Sequence, residues 1–233
     1  MRDAIDMVCL ANSEKHGTRC VAGVRLDTGG WLRPVSDDTG SGLLEEQYET
    51  ASGHHPEPLD TVRVELDHQR PKYNQPENWV ISAKSWELLE TNLHDRAVLT
   101  INTALQLKGP ILHNTEPAIP KRELKNIPVF RSLTLVSPEN PEFYVREREN
   151  NHPQPRTVFE FDGNEYDFPI TDPRWRQQTR TEGAQSLPSA EIVDDDEKIL
   201  FTISLGEAND RDKKCYKIAA AIFTMDSDQL FGI

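Results

Sequence analysis

Short β-rich runs, set off by turn residues, recur in two sets along this chain. Ala4-Ile5-Asp6-Met7-Val8-Cys9-Leu10-Ala11 is largely apolar, and Arg19-Cys20-Val21-Ala22-Gly23-Val24-Arg25-Leu26 is a second such run. Between them, Asn12 to Thr18 is polar and contains Gly17, the composition of a hairpin connection. Asp27-Thr28-Gly29-Gly30 turns the chain into Trp31-Leu32-Arg33-Pro34-Val35-Ser36. Pro34 cannot donate to a ladder, which predicts an edge strand or an early end. Thr61 to Leu66 alternates with period two, as a half-buried strand does, and Trp79-Val80-Ile81-Ser82 adds a fifth run.

A helical pattern follows. Leu88, Leu89, Leu93, Ala97, Ile101, Ala104 and Leu105 recur at spacings of three and four. They predict helix from Ser85 to Leu107, with a break near Thr91-Asn92 and a stop at Gly109-Pro110. Pro110, Pro117, Pro120 and Pro128 mark a connection, after which the β pattern restarts in Val129–Val136 and Phe143–Val145. Thr157–Phe161 and Glu165–Phe168 flank Asp162-Gly163-Asn164, a strong hairpin signal. Thr171-Asp172-Pro173 starts a short helix, a capping residue followed by Pro at the first helical position. Ser186–Lys198, with Asp194-Asp195-Asp196-Glu197 inside it, reads as an acidic surface loop.

Ile199–Leu205 and Cys215–Phe223 end the pattern and echo its first two runs. In both places a strand passes through a polar loop to a Cys and a small-residue strand, Val21-Ala22-Gly23-Val24 or Ile218-Ala219-Ala220-Ala221-Ile222. The expected architecture is mainly β with a few helices: two tandem small Greek-key barrels of the OB type, residues 1–110 and 111–233. The first would carry a C-terminal helical segment, the second a short helix and the acidic loop. A single two-sheet sandwich is the alternative.

Composition narrows the function classes. Lys and Arg number 26 against 39 Asp and Glu, a formal net charge of −13 over 233 residues. That balance opposes nucleic-acid binding by the whole surface, but not by a local basic groove. No run approaches the roughly 18 apolar residues of a membrane span, and Met1 to Asp6 lacks the apolar stretch of a signal peptide. Cys9, Cys20 and Cys215 form no CxxC pair, so free thiols in a reducing cytosol are expected.

Several pieces resemble a largely uncharacterised prokaryotic family, the dual OB-containing domain. They are Cys9-Leu10-Ala11-Asn12-Ser13-Glu14-Lys15 with Arg19-Cys20-Val21-Ala22-Gly23, then Gly30 to Ser36, Gln75-Pro76-Glu77-Asn78, Thr171 to Trp175, and Ser204-Leu205-Gly206-Glu207 with Cys215-Tyr216-Lys217. They occur in order over essentially the whole chain. The resemblance implies two OB barrels and, by analogy of fold, recognition of a nucleic acid or nucleotide.

Four groups of residues are candidates for contact with such a ligand. Asn12, Ser13, Lys15 and Arg19 crowd one strand connection, offering amide and hydroxyl groups beside two cations. Arg33 beside Trp31 pairs a phosphate clamp with a stacking ring. Arg174, Trp175, Arg176 and Arg180 form a basic cluster around an aromatic, with Arg176 and Arg180 on one helical face. Gln75 and Asn78 carry amides that can read a base edge. Each group also has a plain structural reading, as turn, core, surface ion pair or packed loop. Glu207 and Lys217 are expected to pair across the last hairpin.

Signals of catalysis are poor. His16 near Cys20 lacks an orienting third group, His54-His55 lacks metal-ligand spacing, and no GxxxxGK[ST] occurs. A non-catalytic binding module without cofactor or metal is expected, with an acidic adaptor for a partner protein as the alternative. The sequence indicates no oligomeric state.

Overall fold

The computed structural model describes residues 3–15, 17–128, 130–147, 153–182, 187–188 and 196–230. The chain divides into two compact units, Met1–Ala104 and Leu105–Ile233. Among the described residues no helix is long and apolar enough to cross a membrane.

The first unit contains β1 (Asp3–Lys15), β2 (Thr18–Arg25), β3 (Trp31–Val35), α1 (Glu45–Tyr48), β4 (Thr61–Gln69), β5 (Asn78–Ile81), β6 (Glu87–Glu90) and α2 (Asp95–Ala104). Its sheet runs β1-β2-β3-β5-β4-β6, and β4 pairs again with β1 from Asp3↔Leu66 to Val8↔Thr61. Five strands therefore close into a barrel, which removes the edges that an open sheet exposes. β1 serves two neighbours because it is long and carries a bulge between Cys9 and Ala11, and bulges bend a strand. Met7, Cys9, Val21, Leu32, Val62, Val64, Leu66 and the fully buried Trp86 fill the core.

Two expectations change here. β3 is an interior strand: it pairs with β2 through Trp31 and Leu32, then with β5 in parallel from Arg33 to Val35. The Arg33 amide donates to Glu77 O on the β5 side at 3.0 Å. Alternation turns the Pro34 nitrogen to the other side, where pairing with β2 has already ended, so no ladder bond is lost. Leu88 and Leu89 belong to β6, not to a helix, because Val62 pairs with Leu88. A short apolar run fits either period, and tertiary pairing decides. Helix begins only at Asp95.

The second unit starts with a single 3-10 turn at Ile111–His113. It continues through β7 (Ala118–Pro120), α3 (Lys121–Leu124), β8 (Leu133–Val136), β9 (Glu139–Arg146), β10 (Gln154–Phe161), β11 (Asn164–Pro169), α4 (Pro173–Glu182), β12 (Leu187–Pro188), β13 (Glu197–Ala208) and β14 (Lys214–Asp226). Among the described residues two four-stranded sheets form, β11-β10-β9-β12 and β7-β14-β13-β8. Phe143, Phe159, Phe168, Phe201 and Ala219 from both sheets share one core. β8 joins β13 while β9 joins β10, and beyond β11 Ile170 meets Ala219 of β14 in parallel. Taking β8 and β9 as one bent strand, the order is strand, strand, strand, helix, strand, strand, with the third and fifth parallel. That is the order of the first barrel, so both units are OB-like.

Local chemistry explains the second unit's turns. Asp162 (φ 49°) and Gly163 (φ 71°) are both left-handed between the paired Phe161 and Asn164, as a type I′ hairpin demands. Asp172 Oδ1 caps α4 by accepting from Arg174 N at 3.0 Å. Residues 105–110 pack with this unit: Leu105 bridges to Leu135, and Thr134 Oγ1 donates to Gln106 Oε1 at 2.9 Å. The echo between the two hairpins joins strands one and two of the first barrel to strands four and five of the second. It therefore reflects shared local composition and does not align equivalent positions. Val129 and most of the acidic loop, including Asp194 and Asp195, lie outside the described residues.

Candidate functional site

OB barrels take ligands on the face of strands two and three and on the loops joining strands one to two and four to five. In the first unit those loops follow Lys15 and span Arg70–Glu77. The β1–β2 hairpin pairs Asn12 with Val21, Ser13 with Cys20, Glu14 with Arg19 and Lys15 with Thr18. Asn12 Nδ2 donates to Pro56 O at 2.9 Å, while its buried Oδ1 accepts nothing from the protein. Ser13 is buried, its hydroxyl donating to Cys20 O at 3.3 Å. Arg19 is half-buried, with Nη1 donating to the Asn12 carbonyl at 3.4 Å. Lys15 stands half-exposed at the hairpin's end.

The segment from Ser36 to Leu44 links this hairpin to the second loop. Arg19 and Leu43 exchange both backbone bonds, at 2.8 and 2.7 Å. A Cβ at Gly42 would lie 2.3 Å from Thr18 Oγ1 and 3.0 Å from Arg19 O, so only glycine permits this approach. Asp37 Oδ1 accepts from Thr39 N and Oγ1 at 2.9 and 2.6 Å, and these bonds hold its carboxyl below the usual range. At the far end, Asp38 Oδ1 meets His68 Nε2 at 2.7 Å and its carbonyl takes Arg70 Nε at 3.0 Å. Gly40, at φ +72°, leaves room for the Lys72 side chain, whose Nζ would sit 2.9 Å from an added Cβ.

The Arg70–Glu77 loop is tightly made. Lys72 and Gln75 exchange backbone bonds at 3.0 and 3.1 Å, which leaves Tyr73 and Asn74 at the tip. Tyr73 is 50 % exposed, whereas Asn74 is buried. Beneath it, the fully buried Asn78 donates Nδ2 to Gln75 Oε1 at 3.4 Å, and its Oδ1 accepts no bond from the protein. Arg33 lies beside Asn78 across the parallel β3–β5 pair and is 5 % exposed. Trp31 is half-buried where β3 meets Val24.

Thus Lys15, Arg19, Arg33, Gln75 and Asn78 are connected through one loop system. Sequence reading missed Arg70, Lys72 and Tyr73. The signal was the basic and aromatic run Arg70-Pro71-Lys72-Tyr73 just before Gln75.

The Arg174 cluster is elsewhere, in α4 of the second unit. Trp175 belongs to the core, its ring 4.3 Å from Phe143 and its Nε1 donating to Ile222 O at 3.1 Å. Burial withdraws that ring from stacking on a ligand. Arg174 Nη2 is held by Asp172 Oδ2 at 3.0 Å and Ile222 O at 3.2 Å. Arg176 is half-buried, and the side chain of Arg180 lies outside the described residues, as does His16. On the outer face of the second barrel, Arg146 and Arg156 both bond Asp167, at 3.0 and 2.6 Å, with the Tyr144 hydroxyl between them.

Lys217 does not pair with Glu207. It stands opposite Leu205, fully buried, and donates to the carbonyl and Oδ1 of Asn114, the latter at 2.7 Å. Desolvation pushes its amine down to about 7, against the pull of Glu116. No disulfide joins Cys9, Cys20 or Cys215, and burial raises the Cys215 thiol to about 11. His54 Nε2 meets Asp60 Oδ2 at 2.6 Å, and His55 Nε2 lies 3.3 Å from Glu45. Among the described residues no three His, Cys, Asp or Glu side chains are grouped to hold a metal ion.

No curated protein matches the chain by sequence. Among the solved structures that are similar to the chain, two share 10 % identity with it. The tetrameric p202 HIN2 has a TM-score of 0.28, with 96 % of this chain and 91 % of that one covered. A murine DNA binding protein bound with double-stranded DNA has a TM-score of 0.31, with 96 % and 97 % covered. The assignment rests instead on a family model that spans residues 5–222. With that match and the strand order of both units, the chain belongs to the dual OB-containing domain family.

Proposed function

We propose that the first barrel binds a nucleic acid or nucleotide-like ligand at its loop end, without catalysis. The observation that carries this reading is the gathering of Lys15, Arg19, Arg70 and Lys72 on loops joined through Ser36–Leu44, in a chain of net charge −13. Phosphates need cations brought to one place, and an acidic protein that binds them needs a local patch. Arg70 is partly engaged by Asp38, so a phosphate would compete with a carboxylate there.

Fluorescence anisotropy with labelled single- and double-stranded DNA and RNA at two salt concentrations tests the reading. Binding is expected to fall steeply with salt, because each neutralised phosphate releases counterions. Replacing Arg70 and Lys72 by Ala should weaken binding and flatten the salt slope. Flat titrations at low salt with all four probes would sink polynucleotide binding and turn the search to a partner protein or a small nucleotide.

A further inference from the structure

We infer that the first barrel binds a polynucleotide's phosphates more tightly when His68 is protonated, because His68 and Arg70 share the carboxylate of Asp38. This names a regulation of the proposed site and rests on that reading. Asp38 Oδ1 lies 2.7 Å from His68 Nε2 and 3.7 Å from Arg70 Nε. On its other side the ring meets Asp67, whose Oδ2 is 3.2 Å from Nδ1. Ionised carboxylates only accept, so both ring nitrogens must donate, and only the imidazolium carries two N–H groups. The hydrogen bonds to Asp38 and then to Asp67 hold the imidazole above its ordinary 6.5.

The backbone builds this clasp. Against β5, Leu66 faces Ile81 and His68 faces Val80, so Asp67 is the extra residue of a bulge. A bulge re-aims a side chain that strict alternation would send to the opposite face, and here it lets two neighbours touch. His68 and Arg70, two residues apart, both reach Asp38, whose carbonyl takes Arg70 Nε at 3.0 Å. Of the other charged groups nearby, Asp37 is occupied by Thr39 and Ser41, and Lys72 lies beyond at Gly40. Val80, opposite His68, brings no charge. When the proton leaves, the ring keeps one N–H for two carboxylates and the local charge falls by one. Asp38 then turns to Arg70, and a phosphate has to displace it there. By linkage, a bound phosphate raises the affinity of His68 for its proton to the same degree. Histidine is the side chain that makes such a change near neutral pH.

The experiment repeats the anisotropy titrations on the full chain at pH 6 and 8.5, with DNA and RNA strands and duplexes that lack terminal phosphates. Internal phosphodiesters do not titrate in that range, so a pH slope belongs to the protein. Wild-type affinity is expected to fall about five-fold from the lower pH to the higher, the low end for coupled sites. His68→Gln keeps a donor for Asp38 without the charge and should lose the slope, binding at both pH values as the wild type does at 8.5. His94→Gln, which removes the histidine beside Glu90, should keep the slope. The His68 ring, followed by NMR, should titrate at higher pH with a probe bound than without. Equal slopes in wild type and His68→Gln, or a His68 titration that the bound probe leaves unmoved, overturn the coupling and leave the basic interface standing. No wild-type binding to any probe at either pH overturns polynucleotide binding and the coupling with it.

Discussion

In the first barrel the connection between the fourth and fifth strands runs from Arg70 to Glu77 and displays an aromatic ring beside two cations. In the second it is the short Asn209–Lys213 turn, where Asp210 takes Lys213 at 3.3 Å and Asp212 takes the Tyr216 hydroxyl. Asn12, Thr61, Asn78 and Trp86 in the first unit each hold a buried polar atom that finds no hydrogen-bond partner in the protein. Among the described residues of the second unit, Thr157 alone does so. Both barrels obey one strand order, yet the second turns its polar groups on itself, as Arg146, Arg156, Tyr144 and Asp167 do. Shared topology fixes where a site can be; loop length and unsatisfied groups distinguish the barrel proposed to bind from the other.

The strongest test of that contrast is Trp175→Ala. It removes a ring stacked on Phe143 in the second core and is expected to cost about 3–5 kcal/mol, read by urea denaturation. Ligand affinity of the still-folded variant should not change; a parallel fall would tie binding to the second barrel. Lys217 offers a test by pH. Its folded amine is depressed to about 7 from 10.5, so between those values the unfolded chain binds more protons and stability rises with pH. Lys217→Met should lose that rise, as denaturation of both proteins at pH 7 and 9 would reveal. Equal slopes would mean that the buried amine stays charged.

Gly42→Ala probes the first barrel. The added methyl meets the Thr18 hydroxyl and the Arg19 carbonyl, and a cost of about 1–3 kcal/mol is expected together with weaker ligand binding. Stability lost without any loss of affinity would separate the Ser36–Leu44 segment from the site. The smallest effect should come from replacing Arg176 by Ala, with ligand affinity within error of wild type by anisotropy. A clear loss there would restore α4 to the interface.

Much of this was legible before any coordinates. The Asp162-Gly163 hairpin, the Asp172-Pro173 helix start and the alternation of Thr61–Leu66 are local signals, and local chemistry carried them through. Pro34 misled because the rule for proline in strands assumes two paired sides, and β3 changes partner just before it. Leu88 and Leu89 misled because two leucines satisfy either period until Val62 claims one of them. The site divided in the same way. Arg33 was recognisable as a polar group in strand-like text and Asn78 as a loop amide, but their burial arises from a parallel pairing between strands far apart in sequence. The Arg174 cluster looked basic because its neutralising partner, Asp172, also reads as a helix cap, and nothing in the sequence shows that Trp175 faces Phe143. Tyr73 went unnoticed because exposure has no sequence signature.

The bond from Lys217 to Asn114 has a bearing on how the protein is made. It spans 103 residues and joins the opening segment of the second unit to its last strand. The first barrel closes when β1 finds β4, and its last elements, β6 and α2, follow β5 directly in the chain. The second has no such early stopping point, since β8 waits for β13 and Asn114 waits for β14. During synthesis the first barrel is thus a finished object at a time when the second is still an open chain with exposed aromatics. Nascent chains halted before β14 should carry a folded, binding-competent first barrel and a second unit that chaperones still recognise.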